Sequence, residues 1–252
     1  MSNISWNKTP AVRAVRSFLQ RYPAVARPIW NAYYQLFPKE IGYLRDGSSD
    51  DREHAFAQIF TENGWECDES RSGAGSTLAN TGQVRKHLPR LIERYGVRTL
   101  LDAPCGDFNW MKLVSFPSDL TYIGADIVPE ITENLSRRFG APGRKFVKLD
   151  VVKDPLPDAD MWLCRHLTFH LPDRDIIGLL RNFKDSNIRY ILVTNNNFIR
   201  RNIDVNAGGY RFANLRKAPF NLPKPLFQFD DYVLLGPPHV LGLWAREQIP
   251  DF

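Results

Sequence analysis

Five short apolar runs, at 98–102, 121–126, 145–149, 160–165 and 189–195, recur along the chain with helix-like or loop segments between them. That spacing leaves room for a crossover after each run, which parallel strands require. The rhythm predicts an α/β fold: a doubly wound, mostly parallel sheet covered by helices on both faces. Helices are expected after Pro129, across 173–183, and at 83–95, where Val84, Leu88, Leu91, Ile92 and Tyr95 form an apolar stripe capped by Gly96. The tail breaks the rhythm. Runs at 232–235 and 239–246 are joined only by Gly236-Pro237-Pro238, too short for a crossover, so they must pair as an antiparallel hairpin at the sheet edge. The sheet then has seven strands.

The stretch 97–111, VRTLLDAPCGDFNWM, marks the site. Its apolar strand closes on Asp102, passes a turn with a single glycine, Gly106, and enters what reads as an aromatic-rich helix start. A strand that ends in an acid and turns tightly into a helix surrounds a ligand with backbone N–H groups. The next two strands also end in acids, Asp126 in YIGAD and Asp150 in KFVKLD. Asp126 follows Gly106 by twenty residues, where a carboxylate can accept both hydroxyls of a ribose. Both acids have a plainer reading as a turn or helix cap. After the fourth strand, MWLCRHLTFHLP places Arg165, His166 and His170 together. A histidine titrating at about 6.5 can take a proton from a hydroxyl or an amine; His166 reads equally as such a base or as a structural residue, whereas the plainer reading of His170 is a partly buried structural histidine. Two histidines without a third ligand at useful spacing give no reason to expect a metal.

Charge narrows the partners. Of a net +5, the segment 196–228 carries six basic residues against one acid, so extended nucleic-acid contact is not expected. The loop 194–226 interleaves Arg200, Arg211 and other cations with Phe198, Tyr210 and Phe212, which suits an anionic or sugar-bearing small molecule. Another loop, 69–81, offers Ser72, Gly73 and Ser76 and reads as a cover that folds over the ligand, or as a linker. A helix with an acidic first turn is expected at 50–61. No acid precedes Glu40, and Val12, Val15, Phe18 and Leu19 share a helical face. That face fits a cytosolic extension packed on the core, or a membrane-surface helix making weak peripheral contact. Three scattered cysteines, Cys67, Cys105 and Cys164, suit a reducing, cytoplasmic setting.

Five parallel strands, an antiparallel hairpin and an acid closing the first strand resemble class I (Rossmann-like) S-adenosylmethionine-dependent methyltransferases, over about two thirds of the chain. The family's first motif, an acid followed by three alternating glycines, stands here as Asp102, Pro104, Gly106 and Phe108. The wording DAPCGDFNWM, CRHLTFHL and PFNLPKPL is similar to a bacterial-type branch of that family. The resemblance implies S-adenosylmethionine as cofactor. It places Asp102 at the ammonium group, Asp126 and Ile127 at the ribose, and Asp150 and Val151 at the adenine. Pro104, Gly106, Asp107, Phe108 and Trp110 would form the turn around the methionine part, with Ser72, Gly73, Ser76 and Arg165 closing the site. His166, His170 and Arg165 would face the reaction, and Asn195, Asn196, Arg200, Tyr210 and Arg211 the acceptor. Residues 1–82 would be the helical extension and covering loop, and 83–252 the methyltransferase domain. The implied reaction moves a methyl group to a hydroxyl or amine of a small, anionic or glycan-like acceptor. The rivals are an RNA or protein methyltransferase and a non-catalytic module that keeps the cofactor fold.

Overall fold

A computed structural model of the chain describes residues 41–42, 51–232 and 238–252. The basic stretch around Val12–Leu19 and the turn at Gly236-Pro237 lie outside the described residues.

A two-residue strand, β1 (Ile41–Gly42), precedes α1 (Arg52–Thr61) and α2 (Gly82–Arg94). Then β2 (Thr99–Asp102), β3 (Thr121–Asp126), α3 (Pro129–Phe139), β4 (Arg144–Lys148), β5 (Met161–Cys164), α4 (Asp173–Asp185) and β6 (Tyr190–Asn195) alternate as the spacing of the runs demands. A short β7 (Gly209–Tyr210) pairs with β1, and β8 (Phe227–Tyr232) and β9 (Pro238–Ala245) complete the main sheet. Its order is β4-β3-β2-β5-β6-β9-β8: five parallel strands, then two antiparallel ones, as the sequence leads one to expect.

Local chemistry explains the element ends. Asp51 caps α1 by accepting from His54 N at 3.2 Å. Pro129 opens α3, where its missing N–H costs nothing. Gly96 takes φ +60° after α2, and Val97 N closes the cap on Ile92 O at 2.9 Å. The buried stripe of α2 (Val84, Leu88, Leu91, Ile92) and that of α4 (Ile176, Leu179, Leu180, Phe183) join one core with the central strands. Phe56 and Ile59 of α1 belong to the same core. Among the described residues no helix is long and apolar enough to cross a membrane.

Two local expectations are corrected. The hairpin's first strand is described over Phe227–Tyr232, starting earlier than expected, because Phe229 and Asp231 alternate into the interior and two consecutive aspartates disguise a strand; 233–235 of the expected run lie outside the described residues. The turn after β2 leads not into a helix but into a single 3-10 turn, Met111–Leu113. Phe108 sits at φ +60°, which a helix cannot contain.

Candidate active site

The carboxyl ends of β2, β3 and β5 border a cavity of about 380 Å³. One wall is the turn after β2, which hangs between both neighbouring strands: Ala103 N donates to Leu163 O at 3.0 Å and Cys105 N to Ala125 O at 2.8 Å. Gly106, at φ +53°, presents bare backbone there, and a Cβ would strike Ser72 Oγ. The loop 69–81 is laced to this turn. Asp107 N donates to Ser72 Oγ at 2.8 Å, while the Asp107 carboxylate accepts from Ser70 Oγ and Arg71 N. Asn109 adds hydrogen bonds to Glu69 Oε1 and Ser76 O.

Two buried carboxyls face this cavity. Asp126, the last residue of β3, accepts from Gly106 N and Val128 N, both at 3.1 Å. Burial nevertheless pushes it up to about 6. Asp102, the last residue of β2, accepts from the Tyr122 hydroxyl at 2.5 Å. Burial pushes it up to about 7, because that hydroxyl and the Arg165 charge offset only part of the cost of ionisation. Buried acids so weakly compensated suit a ligand that brings a positive charge and hydroxyl donors.

Farther along the edge, past β5, the charges are already answered. Arg165 grips Asp231 of β8 through Nε (2.8 Å) and Nη2 (3.2 Å), with both side chains buried. Burial works to raise the Asp231 carboxyl, but Arg165 and His166 hold it below the usual carboxylate range. His166 follows at φ +58°, pinned by its own N–H to Thr194 Oγ1 at 2.9 Å. Its Nε2 lies 3.2 Å from Asp231 Oδ2, within pairing distance but without hydrogen-bond alignment. A Cβ on Gly75 would collide with its Nδ1, so a glycine is needed there. Burial, then the Arg165 charge, lowers the His166 imidazole. His170 donates from Nδ1 to Gly209 O at 2.7 Å, and burial lowers it to about 4. The remaining walls at this end are rings: Trp65, Phe169, Tyr210 and His239.

No family model and no curated protein matches the chain. Solved structures do. The mitomycin 7-O-methyltransferase MmcR is similar over 79% of this chain, at 21% identity and a TM-score of 0.54. This chain spans 61% of that protein's length. NodS, an N-methyltransferase of Bradyrhizobium japonicum WM9 in complex with S-adenosyl-L-homocysteine, covers 78% of this chain and all (100%) of its own, with 10% identity and a TM-score of 0.55. The 1,6-didemethyltoxoflavin-N1-methyltransferase of Burkholderia thailandensis covers 77% of this chain and 86% of its own, at 14% identity and a TM-score of 0.55. The chain has the class I methyltransferase fold.

Within this fold the residues singled out from sequence divide. Asp102, Pro104, Gly106, Trp110, Asp126 and Ile127 line the cavity. So do Ser72, Gly73 and Ser76 from the loop, and Arg165, His166, His170 and Tyr210. Asp107 is set behind the turn, holding the loop in place. Phe108 is turned away. Its positive φ sends the ring into a cluster with Tyr122, Phe139 and Phe146, at centroid distances of 5.1–5.4 Å, and Trp110 takes the wall position.

Asp150 and Val151 border a small void of about 30 Å³ that adjoins the main cavity and shares Phe56, Pro104, Asp126, Ile127 and Leu167 with it. The Asp150 carboxylate is taken by Arg52 Nη2 at 2.6 Å, and Arg52 Nη1 reaches Asp175 at 2.9 Å. Asn195 and Asn196 are buried and bind the loop that follows β6, their side-chain oxygens accepting from Leu215 N (2.7 Å) and Ala213 N (3.1 Å). Arg211 is buried on Asp173 and on the carbonyls of Leu171 and Ile203. Arg200 is exposed and outside the cavity lining. Hence the cations of 194–226 do not reach the cavity, and among its described lining residues Arg165 alone carries a fixed positive charge. No group of three or more His, Cys, Asp or Glu among the described residues could hold a metal ion.

Sequence reading missed Phe56, Phe60, Trp65, Phe169, His239 and Asp231. The three aromatics before residue 69 carry no local mark of a site in the sequence. The pairing of Asp231 with Arg165 spans 66 residues and leaves no local signal.

Proposed function

We propose that the chain is an S-adenosylmethionine-dependent methyltransferase acting on a small-molecule hydroxyl or amine. One observation carries this reading: two undercompensated buried carboxyls and a bare glycine backbone share a single cavity with a histidine held beside an aspartate. Asp102 would answer the cofactor's ammonium group, and Asp126 its ribose hydroxyls. Gly106 leaves room for the methionine part, and Trp110 walls it. When bound, the cofactor would supply a methyl group activated on sulfur for the acceptor's lone pair.

The chain's own part is then mostly placement. Holding an acceptor in line is worth more to such a transfer than proton removal. His166 supplies the proton removal. A carboxylate beside Nε2 favours the proton there, which leaves Nδ1 as the accepting nitrogen. Since burial keeps the ring neutral, it is ready to accept a proton at neutral pH. Arg165 holds Asp231 in place. Rings and neutral histidines at this end support a flat, uncharged acceptor over the anionic or glycan-like one expected from the basic loop.

Calorimetry with S-adenosylmethionine tests the reading directly, and absence of binding would sink it. Labelled methyl transfer into a small-molecule extract then tests turnover. Binding without any labelled product would leave the cofactor-binding module as the better account.

A further inference from the structure

His239 was not among the residues the sequence pointed to, yet its hydrogen-bonding sense is set by its surroundings. Asn196 Oδ1 accepts from Ala213 N at 3.1 Å, which leaves the amide nitrogen to donate to His239 Nδ1 at 2.9 Å. His239 is buried, and burial together with the neighbouring His166 holds its imidazole well below the usual range, so the ring is neutral. A neutral ring that accepts at Nδ1 carries its proton on Nε2. That N–H finds no hydrogen-bond acceptor among the described residues, although the ring lines the cavity. It is stacked on Phe169 at 5.0 Å, and its centroid lies 5.2 Å from that of His166.

His166 has the opposite sense. Asp231 beside Nε2 leaves Nδ1 to accept. A donor set by Asn196 and an acceptor favoured by Asp231 thus stand side by side in one aromatic-walled pocket.

We infer that His239, oriented by Asn196, is a specificity-determining hydrogen-bond donor that selects an oxygen nucleophile, the hydroxyl of a flat aromatic ring, over an amine. The inference rests on the methyltransferase reading. A hydroxyl fits both histidines: its proton goes to His166 Nδ1, one lone pair accepts from His239 Nε2–H, and a second lone pair remains for the methyl carbon. An amine has a single lone pair. If that pair accepts from His239 it cannot attack, and if it attacks, a buried N–H loses its partner. The surrounding rings of Trp65, Phe169, His170 and Tyr210 suit an aromatic body. Arg165, engaged by Asp231, offers no anchor for an anion.

The test uses the whole protein saturated with S-adenosylhomocysteine, titrated in parallel with para-nitrophenol and para-nitroaniline, whose absorbance reports binding and ionisation. The unmodified protein is expected to prefer the phenol by about tenfold, the worth of one hydrogen bond. Asn196→Asp puts an acceptor opposite Nδ1, moves the ring proton there and makes Nε2 an acceptor, so the preference should collapse or reverse toward the aniline. His239→Phe should erase it. Unchanged S-adenosylhomocysteine affinity in both variants separates these effects from misfolding. Equal binding of the two probes, binding of neither, or an unaltered ratio in Asn196→Asp would overturn the inference while leaving the methyltransferase reading intact. Failure to bind S-adenosylhomocysteine at all would instead remove the reading on which it rests.

Discussion

Asp102 and Asp231 are two aspartates, both almost wholly buried, that end in opposite electrostatic states. Burial raises each. Asp231 has the Arg165 guanidinium in bidentate contact and stays ionised below the usual carboxylate range. Asp102 has a neutral hydroxyl and a less effective share of the same Arg165 charge, and it rises to about 7. The difference separates scaffold from binding site. An acid answered inside the protein fixes geometry, whereas an acid left unanswered is a place for a ligand to bring the charge.

That contrast can be broken most sharply at the answered pair. Asp231→Asn leaves Arg165 charged and buried without its partner, and chemical denaturation should show a loss of about 3–5 kcal/mol. The double variant Arg165→Met/Asp231→Asn should recover much of it, and no recovery would mean that the pair is not the source. At the unanswered end the effect should fall on binding instead. Asp126→Ala is expected to weaken S-adenosylmethionine by about a hundredfold, or ~3 kcal/mol, with the fold retained. Unchanged affinity would remove Asp126 as the ribose acid.

Protons sharpen the comparison further. A folded carboxyl raised to about 7 from 3.8 binds more protons than its unfolded counterpart between those values, so it costs the ligand-free protein stability as pH rises through that window. Asp126, at about 6, acts in the same direction. In the proposed cofactor site both groups would bind in their ionised form. Its affinity should therefore climb as pH rises from about 5.5 to 8, by up to about tenfold per unit for each proton released, and calorimetry in buffers of different ionisation enthalpy should count those protons. A flat profile would mean the two acids are already charged before binding. The smallest expected effect is kinetic. Gly75→Ala presses on His166 Nδ1, so turnover should fall about tenfold, on the scale of an impaired proton acceptor, with S-adenosylmethionine affinity nearly unchanged. Equal losses in turnover and cofactor affinity would show that the loop, rather than the histidine, had moved.

Asp102, Gly106 and Asp126 were legible because strand ends and the turns after them are local. An apolar run stops where the strand leaves the core, and an acid there faces the sheet's carboxyl edge whatever lies elsewhere. Phe108 misled because its positive φ turns a side chain that the motif spacing would direct at the ligand. Asp150 also pairs with Arg52, 98 residues earlier, a contact that no neighbouring residue announces. The basic loop misled as well. Arg211 is consumed by Asp173 and two carbonyls, and Arg200, Arg201, Arg216, Lys217 and Lys224 are exposed away from the cavity, so the segment's charge does not reach the site.

Periodicity, strand-end acids and turn lengths were enough to determine the sheet, its antiparallel tail and half of one cavity, since each depends on residues close in sequence. The histidine end was decided by tertiary structure. Arg165 and Asp231, 66 apart, and Asn196 and His239, 43 apart, meet only because β5, β6, β8 and β9 converge there. Burial then turns those meetings into fixed charges and, at His239, a set tautomer, which no reading of neighbours along the chain can supply.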